Sequence, residues 1–211
     1  MFAHSFSLKH LLAFVIVLSL SLAAFTAFAE PTVEIAPEAA DIPQDVVSDI
    51  VSSNPDAGHI TITDWGTAPE PNPWAPMPLS VQYINIEKTT SAVNSGANDV
   101  FVVSVAKGET LSLNTSWSAS LSPSVTGGPS AANLSLKSTI KVTYSVGKTF
   151  TGPSESSQYN SREFRIKFYK NSGTYTATAV YSNNGANRQP VSGNWTEPSK
   201  YASYSIDKKI N

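Results

Sequence analysis

Apolar residues recur at every second position along two runs of this chain, and that period excludes helices there. Leu111, Leu113, Thr115, Trp117, Ala119 and Leu121 alternate with Ser112, Asn114, Ser116, Ser118, Ser120 and Ser122. In an extended strand the first set lies on one face and the second on the other; a 3.6-residue period would scatter both sets around a helix. The pattern returns with Leu134, Leu136, Ser138, Ile140, Val142, Tyr144, Val146 and Phe150, interrupted only by Lys148. Ser135, Lys137, Thr139, Lys141, Thr143, Ser145 and Thr149 stand opposite. Both runs are therefore expected to be long, half-buried strands, 111–121 and 134–150.

Further strand candidates are Val81 to Glu87, Val100 to Ala106, Phe164 to Tyr169, Thr174 to Tyr181 and Tyr201 to Ile206. Turn signals separate them at Asn94-Ser95-Gly96, Lys107-Gly108, Gly127-Gly128-Pro129, Gly152-Pro153, Asn171-Ser172-Gly173 and Asn183-Asn184-Gly185. About seven or eight strands with short links imply an all-β fold, an antiparallel β-sandwich or an elongated β-domain. Ser and Thr make up 36 of the 123 residues from 89 to 211, which suits solvent-facing strand positions.

The sequence ahead of this β-body divides into two parts. Leu11 to Ala29 is almost wholly apolar, follows Lys9 and ends in Ala27-Phe28-Ala29, the pattern of a secretory signal peptide (1–29) cleaved after Ala29. The expected location is secreted, extracellular. Residues 30–87 then hold ten acids and no Lys or Arg, whereas 88–211 hold thirteen basic groups against six acids. We therefore separate an acidic, Pro-rich arm at 30–78, a linker or propeptide, from a β-domain at 79–211. Within the arm, Ile42, Val46, Val47, Ile50 and Val51 share a helical face between Asp41/Pro43 and Asn54-Pro55, so one short helix is expected near 43–53. His59 to Thr63 reads as a strand, and five prolines between 69 and 78 as an extended connector flanked by Trp65 and containing Trp74.

Catalytic constellations are sparse. The chain has no cysteine, so thiol nucleophiles and Cys-rich zinc sites are excluded. Beyond the leader His59 is the only histidine, and no G-x-S-x-G elbow or phosphate-binding glycine loop accompanies it. The acids Asp99, Glu109, Glu155, Glu163, Glu197 and Asp207 are the only carboxylates available in the β-body for glycoside hydrolysis. The expectation is a non-enzymatic protein without metal or cofactor. Arg162, Arg165, Lys167 and Lys170, interleaved with Phe164, Phe168 and Tyr169, form a candidate surface for anionic ligands. Trp195, Tyr201 and Tyr204 are candidate glycan-stacking aromatics. A net charge of -2 gives no case for nucleic acid.

The runs 111–121 and 134–150, with Arg165-Ile166-Lys167-Phe168-Tyr169 after them, resemble the small secreted Ser/Thr-rich β-proteins of Gram-positive bacteria. More faintly, the same two runs resemble the amphipathic hairpin region of aerolysin-like β-pore-forming toxins. The resemblance is compositional, spans about residues 81–181, and implies secretion and a β-fold without carrying over any binding residue. The leading expectation is binding or structural interaction at or beyond the cell surface, with a cell-wall polymer, glycan or membrane surface as partner. The alternative is a membrane-active β-hairpin, since a spanning β-strand needs about 9 to 11 alternating residues and both runs are long enough. Its lipid-facing set would be Leu111, Leu113, Trp117, Leu121, Leu134, Leu136, Ile140, Val142, Tyr144 and Val146. A carboxylate-based glycosidase is the weaker third reading.

Overall fold

The computed structural model describes residues 30–71, 81–181 and 187–210. The apolar leader, most of the proline connector with Trp74, and the turn expected at 183–185 lie outside these residues. The fold is all-β with one α-helix. In chain order it comprises β1 (Thr32–Ile35), a 3-10 turn (Pro37–Ala39), α1 (Gln44–Ser52), β2 (His59–Thr67) and β3 (Val81–Ala106). There follow β4 (Thr110–Ser112), β5 (Trp117–Leu121), β6 (Ser124–Val125), β7 (Ile140–Tyr144), β8 (Thr149–Thr151), β9 (Ser161–Tyr181) and β10 (Arg188–Lys208). The main sheet runs β1-β2-β10-β9-β3, antiparallel except for β1 on β2, and β6 adds to the outer edge of β10. Two small ladders, β4 with β8 and β5 with β7, stand apart from it.

Two turns expected from the sequence are strand interior instead. Asn171-Ser172-Gly173 lies inside β9 and Asn94-Ser95-Gly96 inside β3, so the separate strands expected on either side fuse. Gly173 is required by crowding: a Cβ there would sit 1.9 Å from the Thr89 carbonyl oxygen and 2.8 Å from the Trp195 ring. Asn94 adopts φ 48° within a bulge, and its N–H donates to Asn171 Oδ1 at 3.1 Å. β3 spends 26 residues to pair with the 21 of β9, shifting register at five points, with every extra residue on β3. Such bulges bend and blunt an edge strand. At about 3.3 Å per residue, β9 and β10 each run for roughly 70 Å.

The acidic segment is built into this sheet. Residues 31–71 and 81–210 belong to one compact unit. β2 pairs with β10 from Lys200 to Asp207, and a bulge opposite Ser203/Tyr204 brings Trp65 to the side of Ile60 and Ile62. A nine-residue helix is marginal alone. α1 gains its stability by burying Val46, Val47 and Ile50 against Ile60, Ile62, Trp65, Tyr169, Ala202, Tyr204 and Ile206. Its carboxyl end is closed by Asn54, whose Nδ2 donates to the Ile50 carbonyl at 2.8 Å. Here the sheet is covered on one face by α1 and on the other by the 107–160 segment.

Candidate functional site: a stowed hairpin and the cleft beneath it

Residues 107–160 lie between two strands that are already paired to each other. The β3–β9 ladder ends with Ala106 opposite Ser161, and Lys107 N–H still donates to the Asn160 carbonyl at 3.0 Å. The next bond, Gly108 N–H to the Pro153 carbonyl at 2.8 Å, skips Ser154 to Tyr159, and Gly108 turns the chain with φ 74°. Beyond this crease Thr110 pairs with Thr151, and Trp117 to Leu121 with Tyr144 to Ile140. The two ladders keep one register, because the step from Thr110 to Leu121 equals that from Ile140 to Thr151. They are halves of a single hairpin, and the Ser122 and Thr139 hydroxyls, 2.9 Å apart, extend it by another pair. The break at its middle is a turn at Ser145–Lys148, where Gly147 takes φ 84° and donates to the Leu113 carbonyl.

The hairpin lies back against the sheet with its two faces sorted as the alternation dictates. Trp117, Ala119, Leu121, Ile140, Val142 and Tyr144 pack on Ile166 and Phe168 of β9, Val100 and Val102 of β3 and Tyr201 of β10. Ser118, Ser120, Lys141 and Thr143 are exposed. Rings run from hairpin into sheet: Trp117 stacks on Tyr144 at 5.6 Å, Tyr144 meets Phe150 edge-on at 5.5 Å, and Phe150 lies 4.8 Å from Phe164. Leu111 and Val146, on the same alternation, are exposed.

The expected strand 134–150 forms only from Ile140. Ala131 to Ser135 is turn, with Ser135 at φ 50°, and it carries Leu134 and Leu136 onto Tyr175, Ala177 and Trp195. β9 has no bulge, so Phe168 and Tyr175 point to opposite faces of the sheet. The hairpin tip therefore crosses the outer edge of β10, where β6 pairs with Trp195 and Thr196, and docks on the far face. Tyr175 donates its hydroxyl to the Thr126 carbonyl at 2.6 Å, and Glu197 accepts the Lys137 N–H at 2.9 Å and Asn171 Nδ2 at 3.3 Å. Periodicity could not find this clamp, because its partners are residues of distant strands.

The other sequence candidates are placed differently. Arg162 forms a bidentate pair with Asp207, at 2.6 and 2.8 Å, and this bonding raises its already high pKa. Arg165 pairs with Asp99 and Glu163, each at 3.1 Å, and Lys167 is buried with its ammonium 2.7 Å from Asp49 of α1. Three of the four basic groups are thus neutralised by the chain's own carboxylates, leaving no open anionic-ligand surface there. Trp195 and Tyr204 are 3% and 2% exposed, so neither ring face is free for a sugar; Trp195 instead donates Nε1–H to the Thr174 carbonyl. Asp99, Glu163, Glu197 and Asp207 are all engaged in these pairs. Among the described residues no helix is long and apolar enough to cross a membrane, which says nothing of strands.

Tyr201 alone of the stacking candidates reaches an opening. Between the hairpin and the β2–β10 edge lies a cleft of about 610 Å³, walled by Lys141, Tyr144 and Lys148 on one side and Thr63, Asp64, Tyr201 and Ser203 on the other. Tyr201 donates to Asp64 Oδ2 at 2.7 Å; burial first, then this bond, raises its phenol well above the usual value. Burial likewise raises Tyr144, against a weak opposing bond to Ser203. No family model matches this chain, and no curated protein or solved structure matches it.

Proposed function

We propose that this is an exported, membrane-active protein whose 107–160 segment leaves the sheet and enters a lipid bilayer as a β-hairpin, in the manner of a pore former. The observation that supports this is its placement: one continuous register, inserted between two strands that stay paired without it. Residues 110–122 and 139–151 each exceed the roughly 9 to 11 residues that a tilted spanning strand requires. In the sheet the apolar face rests on Ile166 and Phe168 and in a bilayer it would rest on acyl chains, so the hairpin's own apolar face stays out of water in both places, while its departure uncovers Ile166 and Phe168. The serine and threonine face would line an aqueous lumen, and closure of several hairpins into a ring would satisfy every backbone group. Lys148, opposite Leu113 near the base, is placed to extend its ammonium towards the interface.

Because the chain lacks cysteine, an introduced pair supplies its only thiols. Ser124 and Thr196 are cross-strand partners with hydroxyls 2.8 Å apart, so S124C/T196C would staple the hairpin tip to β10. Ser104 and Ser161 are diagonal neighbours across β3 and β9 with hydroxyls 2.8 Å apart, so S104C/S161C would staple strands that remain together. The expected result is dye release from vesicles by the parent protein and by oxidised S104C/S161C. Oxidised S124C/T196C should be silent until a reductant is added. Release from the oxidised tip staple equal to that of the parent, or no release from any form, overturns the proposal.

A further inference from the structure

We infer that the cleft under the hairpin binds a phosphate ester carrying a tethered cation, the chemistry of a zwitterionic phospholipid headgroup. The choice of a lipid source rests on the membrane reading above. The cleft is polar and of a size that takes a small ligand. Its charges are separated by wall. Lys141 and Lys148 stand on the hairpin side, and neither has a carboxylate partner among the described residues. Asp64 stands on the body side; it accepts the Tyr201 hydroxyl but has no cationic partner among those residues. The two signs face one gap without closing it.

An inorganic anion would satisfy the lysines and leave Asp64 opposing it. A simple cation would satisfy Asp64 and meet the lysines. A zwitterion answers both walls, its phosphate towards Lys148 and, at the rim, Lys141, with the Ser203 hydroxyl alongside, and its cation towards Asp64 and the Tyr201 ring. Lys148 Nζ lies 5.8 Å from the Tyr144 centroid and takes that ring, which leaves Asp64 and the Tyr201 ring for the ligand cation. Because one wall is hairpin and the other is body, the site exists only while the hairpin is stowed. Free headgroup should then stabilise the stowed state by linkage and inhibit insertion.

The test is titration of the full chain with phosphocholine, phosphoethanolamine, inorganic phosphate and choline, followed by NMR or calorimetry. The proposal expects both zwitterions to bind at least about tenfold more tightly than either phosphate or choline alone. It expects K141Q/K148Q to lose that binding at unchanged melting temperature, because both lysines are exposed. D64N should keep phosphate affinity while losing the preference for the zwitterion. Phosphatidylcholine vesicles should capture the protein better than phosphatidylglycerol vesicles, with soluble phosphocholine competing. Equal binding of phosphate and phosphocholine, binding indifferent to K141Q/K148Q, or no binding at millimolar ligand overturns the inference. The disulfide staples separate its failure from that of the membrane reading. Blocked release without headgroup binding removes only the cleft, and headgroup binding with release indifferent to the tip staple removes only the insertion.

Discussion

Truncating Leu134 to alanine should loosen the hairpin tip without disturbing the sheet it rests on. The side chain is 2% exposed and sits among Leu136, Tyr175, Ala177 and Trp195, closed in by Val125, Ala131 and Val191. Its burial contributes about 1.5–3 kcal/mol, and a cavity walled by two large rings will not collapse fully, so the total cost is about 3–4 kcal/mol. At about 1.4 kcal/mol per decade, the docked-to-free ratio of the tip falls at least about 100-fold. The Thr126, Leu134 and Leu136 amides, bonded to the Asn194, Ser130 and Ala131 carbonyls, should exchange with solvent faster by that factor. The Ile166 and Phe168 amides should exchange as before. If release of the tip precedes insertion, the protein concentration for half-maximal dye release should also fall, while L134M behaves as the parent. L134A that leaves exchange and release unchanged, or that frees the tip yet weakens release, refutes the reasoning.

Removing Asp49 strands the Lys167 ammonium in the core with only Ser53 Oγ at 2.7 Å and the Asp49 carbonyl at 3.3 Å. As Asp49 is itself 41% exposed, D49A should cost about 1–3 kcal/mol, and K167M, which removes the charge, less; urea midpoints that rank them in reverse contradict this. At the crease, G108A must hold φ 74° with its Cβ 1.9 Å from Glu155 Oε1, and should cost about 1–2 kcal/mol. G152A should cost more, since its Cβ would meet the Ala106 backbone oxygen at 1.9 Å rather than a movable side chain; thermal melts within experimental error of the parent argue against the crease. Burial raises the phenols of Tyr144, Tyr169, Tyr201 and Tyr204, with Asp49 adding to the rise at Tyr169 and Asp99 at Tyr204. A raised folded pKa means that their contribution is complete below the unfolded value near 10 and is lost as pH climbs beyond it. Ultraviolet titration should show these phenols ionising together with unfolding; reversible ionisation of every tyrosine near pH 10 in a folded chain contradicts this.

The alternation at 111–121 and 140–150 was legible because strand faces are a local property, and it assigned the buried and exposed sides correctly in β5, β7 and β8, though not at Leu111 of β4, which is exposed. It failed at Leu134 and Leu136, whose spacing fits a strand but whose burial comes from Tyr175 and Trp195 on the far face of the sheet. The helix at 44–52 was legible from its apolar face and its Asn54-Pro55 stop. That it packs on β2 and β10 was not, because the charge division at residue 88 concealed the apolar partners Ile60, Ile62 and Ile206. Gly173 and Asn94 read as turns because the same residues serve turns, close backbone approach and bulges. The basic run 162–170 read as a surface because its partners Asp49, Asp99 and Asp207 lie far away in sequence. The cleft gave no signal at all, being assembled from three segments whose polar residues are ordinary in each.

Membrane insertion of the hairpin is tested most directly by labelling single cysteines at Ser118, Ala119, Ser120, Val142 and Thr143 with an environment-sensitive fluorophore, then adding vesicles. A lipid-phase quencher should reach Ala119 and Val142, while an aqueous quencher should reach Ser118, Ser120 and Thr143, alternating residue by residue. Labels that respond to neither vesicles nor lipid-phase quencher, or that respond without alternation, would contradict a hairpin that crosses the bilayer.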